Sequence, residues 1–200
     1  MSVARSSFVL ASASPRRAAL LRQIGLEPDQ IIAPDIDESV LAGETPTAYA
    51  SRMAGQKLDA ALSLAGAGHF LLTADTVVAC GRRILAKPAD EQQALRFLAL
   101  LSGRRHRVTT GFAISSPSGK QTKRLVTTIV HMRQLSQSDK QAYIASGEWQ
   151  GKAGGYAIQG LAAAFIPKIN GSYSNVVGLP LNEVAMGLHG LGYQRRDAGQ

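Results

Sequence analysis

The sequence predicts an α/β fold built on a mixed sheet, and three observations support that prediction. The chain has 200 residues, which is the length of about one domain. Hydrophobic residues make up 45% of it, as in globular rather than disordered proteins. Short apolar runs of strand length alternate with helical patterns along the whole chain. Because no linker or repeat divides this pattern, we predict a single domain over residues 1–200, with a core at about 7–190 and a frayed tail at 195–200.

The first third of the chain predicts two strand–helix units. The apolar run at 8–10 predicts the centre of a short buried strand. Ser14 is a favoured helix N-cap residue, and Pro15 suits the first helical position. Thr45-Pro46 repeats that arrangement at the start of a longer helix. In order, the predicted elements are a strand at 7–11, a helix at 15–24, a strand at 30–33 and a helix from 46 to about 64.

The remainder predicts a central strand, an antiparallel pair and further helices. The apolar run at 70–79 is rich in branched residues and predicts the central strand. Two-residue alternation at 108–115 and 124–133 predicts an antiparallel pair, and we interpret the basic run at 104–107 as a solvated connector. The other predicted elements are a hairpin return at 84–85, a helix at 90–101, a helix at 138–146, a glycine-rich loop at 151–160, a strand at 163–169 and a helix at 182–189.

The charge balance indicates a phosphate-bearing partner. Lys and Arg number 22 against 14 Asp and Glu, for a formal net charge of +8, and 15 of the basic residues are Arg. Because the guanidinium group makes planar, two-pronged contacts with phosphate, a surplus of Arg favours a nucleotide or a nucleic acid as partner. A solvated basic surface that aids solubility is the alternative, and composition alone does not separate the two.

Several classes of protein are excluded or disfavoured. No stretch approaches the roughly 18 apolar residues that span a bilayer, so we expect no membrane association. The apolar run near the N-terminus is too short for the core of a signal peptide, which predicts a cytoplasmic protein. Cys80 is the single cysteine, which excludes an internal disulfide and a multi-cysteine metal site. The four His show no ligand spacing.

The segment that follows the first strand is a candidate anion site. It reads SASPRR at 12–17, and it contains Ser12, Ser14, Arg16 and Arg17. A helix N-terminus has unpaired N–H groups and the positive end of the helix dipole, both of which attract phosphate. Two Arg side chains at that end oppose the dipole, which favours an anion lying between them. The alternative is an ordinary Ser-Pro helix cap.

Three further candidates are polar groups near predicted strands and loops. Asp75, followed by Thr76, lies in the most hydrophobic strand, where a carboxylate is costly unless it is paired or binds a metal. A loop at 35–38 carries three acids, which would bind Mg²⁺ with phosphate oxygens if the loop approaches Asp75 and are otherwise solvated. The glycine-rich loop at 151–160 contains Lys152, Tyr156 and Gln159, and such loops let the backbone approach a ligand closely.

Taken together, these motifs make the chain resemble the Maf family of nucleoside triphosphate pyrophosphatases. They occur in the family's order and extend over about residues 7–190. The matching segments are SASPRR at 12–17, ETP and a lysine-bearing helix at 44–57, TADTVVA at 73–79, AKP at 86–88, LSGRRHRVTTG at 101–111, GKAGGYAIQG at 151–160 and NGSYSNVVGLPL at 170–181.

The resemblance implies a fold, an activity and a setting. The implied fold is similar to that of inosine triphosphate pyrophosphatases, which is a mixed, elongated α/β structure with a cleft between two lobes. The implied reaction is hydrolysis of a nucleoside triphosphate to the monophosphate and pyrophosphate with a divalent cation, Mg²⁺ or Mn²⁺. The implied protein is a cytoplasmic homodimer that removes unwanted nucleotides, and a triphosphate substrate accounts for the basic surplus without nucleic acid.

The resemblance also implies roles for ten residues. Asp75 matches the general base, and Glu38 matches a loop carboxylate that serves in catalysis or, with Asp75, in metal binding. The implied phosphate-binding cations are Arg16, Arg17, Lys57 and Lys87. Of these, Lys87 is also implied to be catalytic. The implied base-selecting positions are Arg16, Thr76 and Gln159. Ser12 and Ser14 complete the implied substrate-binding set.

The end of the glycine-rich loop bears on the choice of substrate. Its Ile-Gln-Gly at 158–160 is similar to the branch of the family that acts on dTTP and UTP, including modified uridine triphosphates. Two alternatives stay open. One is the same reaction on 7-methyl-GTP or another purine triphosphate, and the other is a nucleic-acid-binding or cell-division regulatory protein without turnover.

Overall fold

The computed structural model describes residues 6–194 and is organised around one mixed, seven-stranded sheet. The strands are β1 (Phe8–Ala11), β2 (Gln30–Ile32), β3 (Phe70–Cys80), β4 (Arg83–Leu85), β5 (Arg105–Ser115), β6 (Gln121–His131) and β7 (Lys168–Asn170). They lie in the order β2-β1-β3-β5-β6-β7, with β4 paired to β3. β1 is parallel to β2 and β3, and the other pairs are antiparallel. The predicted mixed α/β fold is thereby confirmed.

Helices lie on both faces of the sheet. They are α1 (Pro15–Gln23), α2 (Pro46–Ala65), α3 (Glu91–Leu101), α4 (Gln137–Ala145), α5 (Tyr173–Val177) and α6 (Leu181–Gly190). Because alternate residues of a strand face opposite sides, Val9 and Leu71 pack with Leu58 of α2, whereas Phe8 and Leu72 belong to the larger core on the other face. Among residues 6–194, no helix combines the length and hydropathy that crossing a membrane requires.

A glycine in β5 brings α2 close to the sheet. A Cβ atom at Gly111 would lie 2.2 Å from the carbonyl oxygen of Ala50, a distance that real Cβ atoms essentially never show. Gly111 pairs with Asp75 in the β3–β5 ladder. The close approach of α2 is therefore made at the level of Asp75, and this positions the helix for the site described below.

One edge of β3 is interrupted in the middle of the sheet. β1 pairs with β3 only as far as Ala11 opposite Thr73, and β4 begins its pairing at Leu85 opposite Val78. Within the described residues, the segment 74–77 has no strand partner on this edge. The interruption leaves a gap in an otherwise continuous sheet, and the chain segments that follow β1 and β4 border it.

The structure differs from the sequence prediction at a few elements. The predicted strand at 163–169 is wrong, because Leu161–Phe165 is a 3-10 helix that buries Ala162 and Phe165 on one side, and the strand is only β7. The predicted connector at 104–107 is mostly strand, since β5 begins at Arg105 and turns His106 inward. The short helix α5 was not predicted, although Ser172 caps it. The predicted frayed tail at 195–200 lies outside the described residues.

Candidate active site

A cleft of about 300 Å³ opens at the interruption of β3. It lies beside the turn from β1 to α1, the loop after β2, the segment after β4, the glycine-rich loop and the end of α5. All ten residues singled out in the sequence line this one cleft, namely Ser12, Ser14, Arg16, Arg17, Glu38, Lys57, Asp75, Thr76, Lys87 and Gln159. The structure thus brings together side chains that are up to about 150 residues apart in the sequence.

Two carboxylates meet at one lysine. The Nζ atom of Lys57 lies 2.5 Å from Oδ1 of Asp75 and 2.7 Å from Oε1 of Glu38. The acidic loop therefore does approach Asp75, which was the condition for a metal site. Burial raises the pKa of Glu38, but the hydrogen bond from Lys57 and the positive charges of Lys57, Lys87 and Arg17 outweigh it, so the pKa is lowered overall.

The donor set at this point suits a cation that also binds phosphate. Among residues 6–194, no three His, Cys, Asp or Glu side chains form a metal-binding group. Glu38 and Asp75 converge as a pair, and Mg²⁺ commonly takes one or two carboxylates and fills its remaining positions with water and phosphate oxygens. The residues present therefore fit Mg²⁺ or Mn²⁺ bound together with a triphosphate.

Arg17 is a buried cation that is held by neutral acceptors. Its Nε donates to the carbonyl oxygen of Gly178 at 2.8 Å, its Nη1 to Oγ of Ser12 at 2.8 Å, and its Nη2 to Oγ1 of Thr76 at 3.2 Å. Burial lowers the pKa of Arg17, while the charge of Asp75 opposes that change. Because these partners are uncharged, the guanidinium keeps its positive charge available to an anion in the cleft.

The carbonyl of Gly178 is fixed by the short helix α5. Asn175 is fully buried, and its Nδ2 donates to the carbonyl oxygen of Val108 at 3.1 Å and to Oγ1 of Thr128 at 3.0 Å. These bonds attach α5 to β5 and β6. Gly178 follows α5 directly, so its carbonyl is held where Arg17 and Thr76 both donate to it.

The start of α1 contributes hydroxyl groups to the cleft. Ser14 occupies the N-cap position, but its hydroxyl does not cap the helix. Oγ of Ser12 accepts hydrogen bonds from Arg17 and from the backbone N–H of Ser14, which leaves the Ser12 hydroxyl proton able to donate. Arg16 is half-buried beside them, and burial lowers its pKa. The region is a helix N-terminus with added donors, as the sequence predicted.

The glycine-rich loop is attached to the rest of the protein at several points. The backbone N–H of Gly154 donates to the carbonyl oxygen of Ala86, next to Lys87, at 3.1 Å. The Tyr156 hydroxyl lies 2.7 Å from Nε2 of the buried His106. The backbone N–H of Ala157 donates to the Tyr143 hydroxyl at 3.0 Å. These contacts hold the loop so that the exposed side chain of Gln159 lines the cleft.

The comparisons with known proteins agree with this assembly of motifs. The family model described as Maf-like protein matches residues 7–191. The chain belongs to the Maf family. Its relatives include proteins named dTTP/UTP pyrophosphatase from Paramagnetospirillum magneticum, 55% identical over 93% of this chain and 97% of the relative, and from Caulobacter vibrioides, 52% identical over 94% and 97%. A third, from Bradyrhizobium diazoefficiens, has the same name and is 52% identical over 96% of this chain and 94% of the relative.

A solved structure is also similar to this Maf chain. It is a nucleoside-triphosphatase, or dITP/XTP pyrophosphatase, from Mycobacterium abscessus. The alignment covers 92% of this chain and 93% of that one, with 15% sequence identity and a TM-score of 0.42.

Among the other cleft-lining residues of this Maf protein, two have polar groups that bear on anion binding and were not in the set of ten. Lys152 lines the cleft, and burial, together with the charge of Arg16, lowers its pKa. Its place in the glycine-rich loop was the signal that could have added it. Gly178 also lines the cleft and offers a backbone carbonyl to Arg17, for which the sequence carries no local signal.

Proposed function

We propose that the chain is a single-domain enzyme that hydrolyses nucleoside triphosphates, chiefly dTTP and UTP, to the monophosphate and pyrophosphate. The observation that carries this proposal is the contact of Lys57 with both Glu38 and Asp75 in a cleft lined by further cations. A triphosphate is strongly anionic, and positioning with charge neutralisation supplies most of the catalysis of phosphoryl transfer. The names of relatives that are 52% to 55% identical support the same substrates.

In the proposed reaction, Asp75 acts as general base. A water oxygen forms a bond to the α-phosphorus while the bond from that phosphorus to the bridging oxygen of the β-phosphate breaks. Asp75 takes the proton of the water, and the electron pair leaves with pyrophosphate. Lys57 contacts the Asp75 carboxylate, which keeps it oriented in the cleft. A divalent cation, when bound by Glu38 and Asp75, supplies further neutralisation of phosphate charge.

The other cations bind the phosphate chain. Arg17 offers a fixed, buried positive charge, and Arg16 and Lys87 lie at more accessible positions of the same cleft. The catalytic role of Lys87 is to stabilise the charge that develops on pyrophosphate as it leaves. The hydroxyls of Ser12 and Ser14 donate to phosphate oxygens beside the N-terminus of α1.

Base selection is assigned to Gln159, with Arg16 and Thr76. The amide of Gln159 has a donor and an acceptor that match O4 and N3–H of uracil and thymine. Thr76 shares its hydroxyl with Arg17, Thr110 and Gly178, so its direct contacts support the phosphate-binding Arg17, and its part in base selection is proposed from the family resemblance alone.

A turnover panel tests the proposed function. The purified protein is incubated with each natural triphosphate and with 7-methyl-GTP, with Mg²⁺ or Mn²⁺, and the products are separated and quantified. We expect monophosphate and pyrophosphate, with the highest kcat/KM for dTTP and UTP. Faster turnover of a purine or 7-methylated triphosphate would contradict the pyrimidine preference. An absence of turnover with every triphosphate would favour the nucleic-acid-binding or regulatory alternative.

The same proposal includes a cofactor, an assembly and a location. We expect chelation of divalent cations to abolish turnover and Mg²⁺ or Mn²⁺ to restore it. We expect a homodimer, which light scattering coupled to size-exclusion chromatography measures directly. We expect a cytoplasmic protein, which cell fractionation with an antibody against the chain tests.

A further inference from the structure

The loop that carries Glu38 has little structure of its own. Residues 33–45 connect β2 to α2 without a helix or strand, and most of their side chains are exposed. Glu38 nonetheless reaches Lys57 at 2.7 Å. Ile36 packs against the cluster of Tyr49, Met53 and Val77, and the loop otherwise has only short-range hydrogen bonds of its own. Since such an exposed loop has many accessible conformations, further groups are needed to hold Glu38 in position.

One face of α2 holds the backbone around Glu38. The Tyr49 hydroxyl donates to the carbonyl oxygen of Glu38 at 3.0 Å, and Nη2 of Arg52 donates to the carbonyl oxygen of Ser39 at 2.9 Å. Lys57 holds the Glu38 carboxylate. Positions 49 and 52 are neighbours on the helix surface, and position 57 lies about 12 Å further along the helix than position 49. The helix thus supports both the backbone and the side chain of Glu38.

Arg52 also holds the far end of the same loop. Its Nε lies 2.7 Å from Oε1 of Glu44, and its Nη2 lies 2.6 Å from Oε2, which is a two-pronged ion pair. The Glu44 side chain is only 7% exposed, and Oε2 also accepts from the backbone N–H of Leu41. Arg52 therefore connects the residue after Glu38 to the end of the loop.

We propose that Arg52 is a positioning residue, which holds the loop 33–45 against α2 so that the Glu38 carboxylate stays in the cleft. Arg52 is not among the residues that line the cleft, so it acts through Glu38 and not on the substrate. Burial and the charges of Asp75 and Glu38 raise the pKa of Tyr49 to about 12, which keeps its hydroxyl a donor to the same backbone. This inference rests on the proposed function only where it concerns turnover.

A double-mutant cycle measures the coupling between Arg52 and Glu38. We expect Arg52→Ala to lower kcat/KM for dTTP by about 10- to 100-fold, the scale of a small misplacement of a catalytic group. In a Glu38→Gln background, Arg52→Ala is expected to lower kcat/KM for dTTP by no more than about 2-fold, because the Glu38 carboxylate is then absent and cannot be positioned. Arg52→Lys is expected to be intermediate, since an ammonium cannot form the two-pronged pair. Equal losses in both backgrounds, or no loss in the first, would overturn the proposal.

A matched control and a second measurement separate positioning from general destabilisation. Arg22→Ala breaks a single-contact ion pair with Glu27 on the exposed surface, outside the residues that line the cleft, and it is expected to retain the wild-type kcat/KM. Hydrogen exchange should become faster in 35–44 of Arg52→Ala and stay unchanged elsewhere. Unchanged exchange in this segment would refute the holding role whether or not the protein turns over any triphosphate. If Arg52→Ala does not fold, Glu44→Gln weakens the same ion pair and takes its place in the cycle.

Discussion

Asp75 and Thr76 are adjacent in β3, and their side chains lie on opposite faces of the sheet. Asp75 contacts Lys57 of α2, whereas Thr76 contacts Arg17 of α1. Both are on the segment of β3 that lacks a strand partner on one edge, so both reach the same cleft. The interrupted edge allows one strand to supply an acid from one side and an anchor for a buried cation from the other.

The first prediction concerns the charge of Asp75. Asp75→Asn preserves the shape of the side chain and removes the proton acceptor, so kcat should fall by about 10²-fold or more, the scale of a lost general base. Thermal unfolding should show that the variant is folded. As a matched control, Asp59→Asn removes an exposed acid of α2 and is expected to keep wild-type turnover. Near-normal turnover in Asp75→Asn would disprove the assignment.

The second prediction concerns Lys87 and the phosphates. Lys87→Ala should lower kcat/KM by about 10- to 100-fold for every triphosphate alike, because it removes one charge-assisted hydrogen bond to a group that carries no base identity. The exposed Lys120 provides the control, since Lys120→Ala removes a charge outside the cleft. A change in base preference with total activity preserved is the result that would reject this role for Lys87.

The third prediction concerns base choice at Gln159. We expect dTTP and UTP to be preferred over CTP by at least ~10-fold, about 1.4 kcal/mol or one mispaired hydrogen bond. Gln159→Ala should reduce that ratio and leave the metal requirement intact. The measurement is kcat/KM for the three triphosphates in both proteins, with Gln121→Ala, an exposed Gln of β6, as control. If the ratio is the same in Gln159→Ala, another group selects the base.

The fourth prediction concerns His106 and acid stability. Burial, with a smaller effect of His131, lowers the pKa of His106 from 6.5 to about 4. Between those pH values the unfolded chain binds a proton that the folded protein does not, so the free energy of unfolding falls as the pH is lowered through this window. The contribution that is present above pH 6.5 and lost by pH 4 is about 3 kcal/mol.

Denaturant unfolding at several pH values measures that contribution. His106→Gln keeps a polar group beside the Tyr156 hydroxyl but does not titrate in this range. The unfolding free energy of the wild type minus that of the variant should therefore fall steadily as the pH is lowered from 6.5 to 4. Parallel curves for the two proteins would show that His106 is not the group responsible.

Much of the candidate site could be predicted because its signals are local. The serines and arginines at 12–17 follow a strand and begin a helix, and an acid at 75 is conspicuous inside an apolar strand. The resemblance to a known family then added Lys57 and Lys87 and gave a role to Gln159, and none of these three carries a specific signal by itself. Every one of these residues lines the cleft. Their catalytic and binding roles remain predictions until the variants are measured.

Other features were not predictable, because they depend on pairs of residues that are distant in the sequence. Arg17 donates to Gly178, which is 161 positions away, and His106 contacts Tyr156 across 50 positions. The basic run at 104–107 has the composition of a connector, and only pairing with β6 makes it a strand. Similarly, the run at 163–169 has the apolar content of a strand, but its first part belongs to a 3-10 helix that places Phe165 in the larger core.

The sequence by itself predicted the order of most elements and, through the family resemblance, the class of ligand and the ten side chains of the candidate site. The order of the elements follows from hydrophobic periodicity and capping residues, whereas the ligand class and the ten side chains follow from the series of motifs that carries the family resemblance. Only the tertiary structure decided that β3 is interrupted beside Asp75, that Lys57 joins two carboxylates, and that Arg52 holds the loop of Glu38. The physical reason is that hydrogen bonds and ion pairs form over about 3 Å, and chain folding alone determines which distant groups come within that distance.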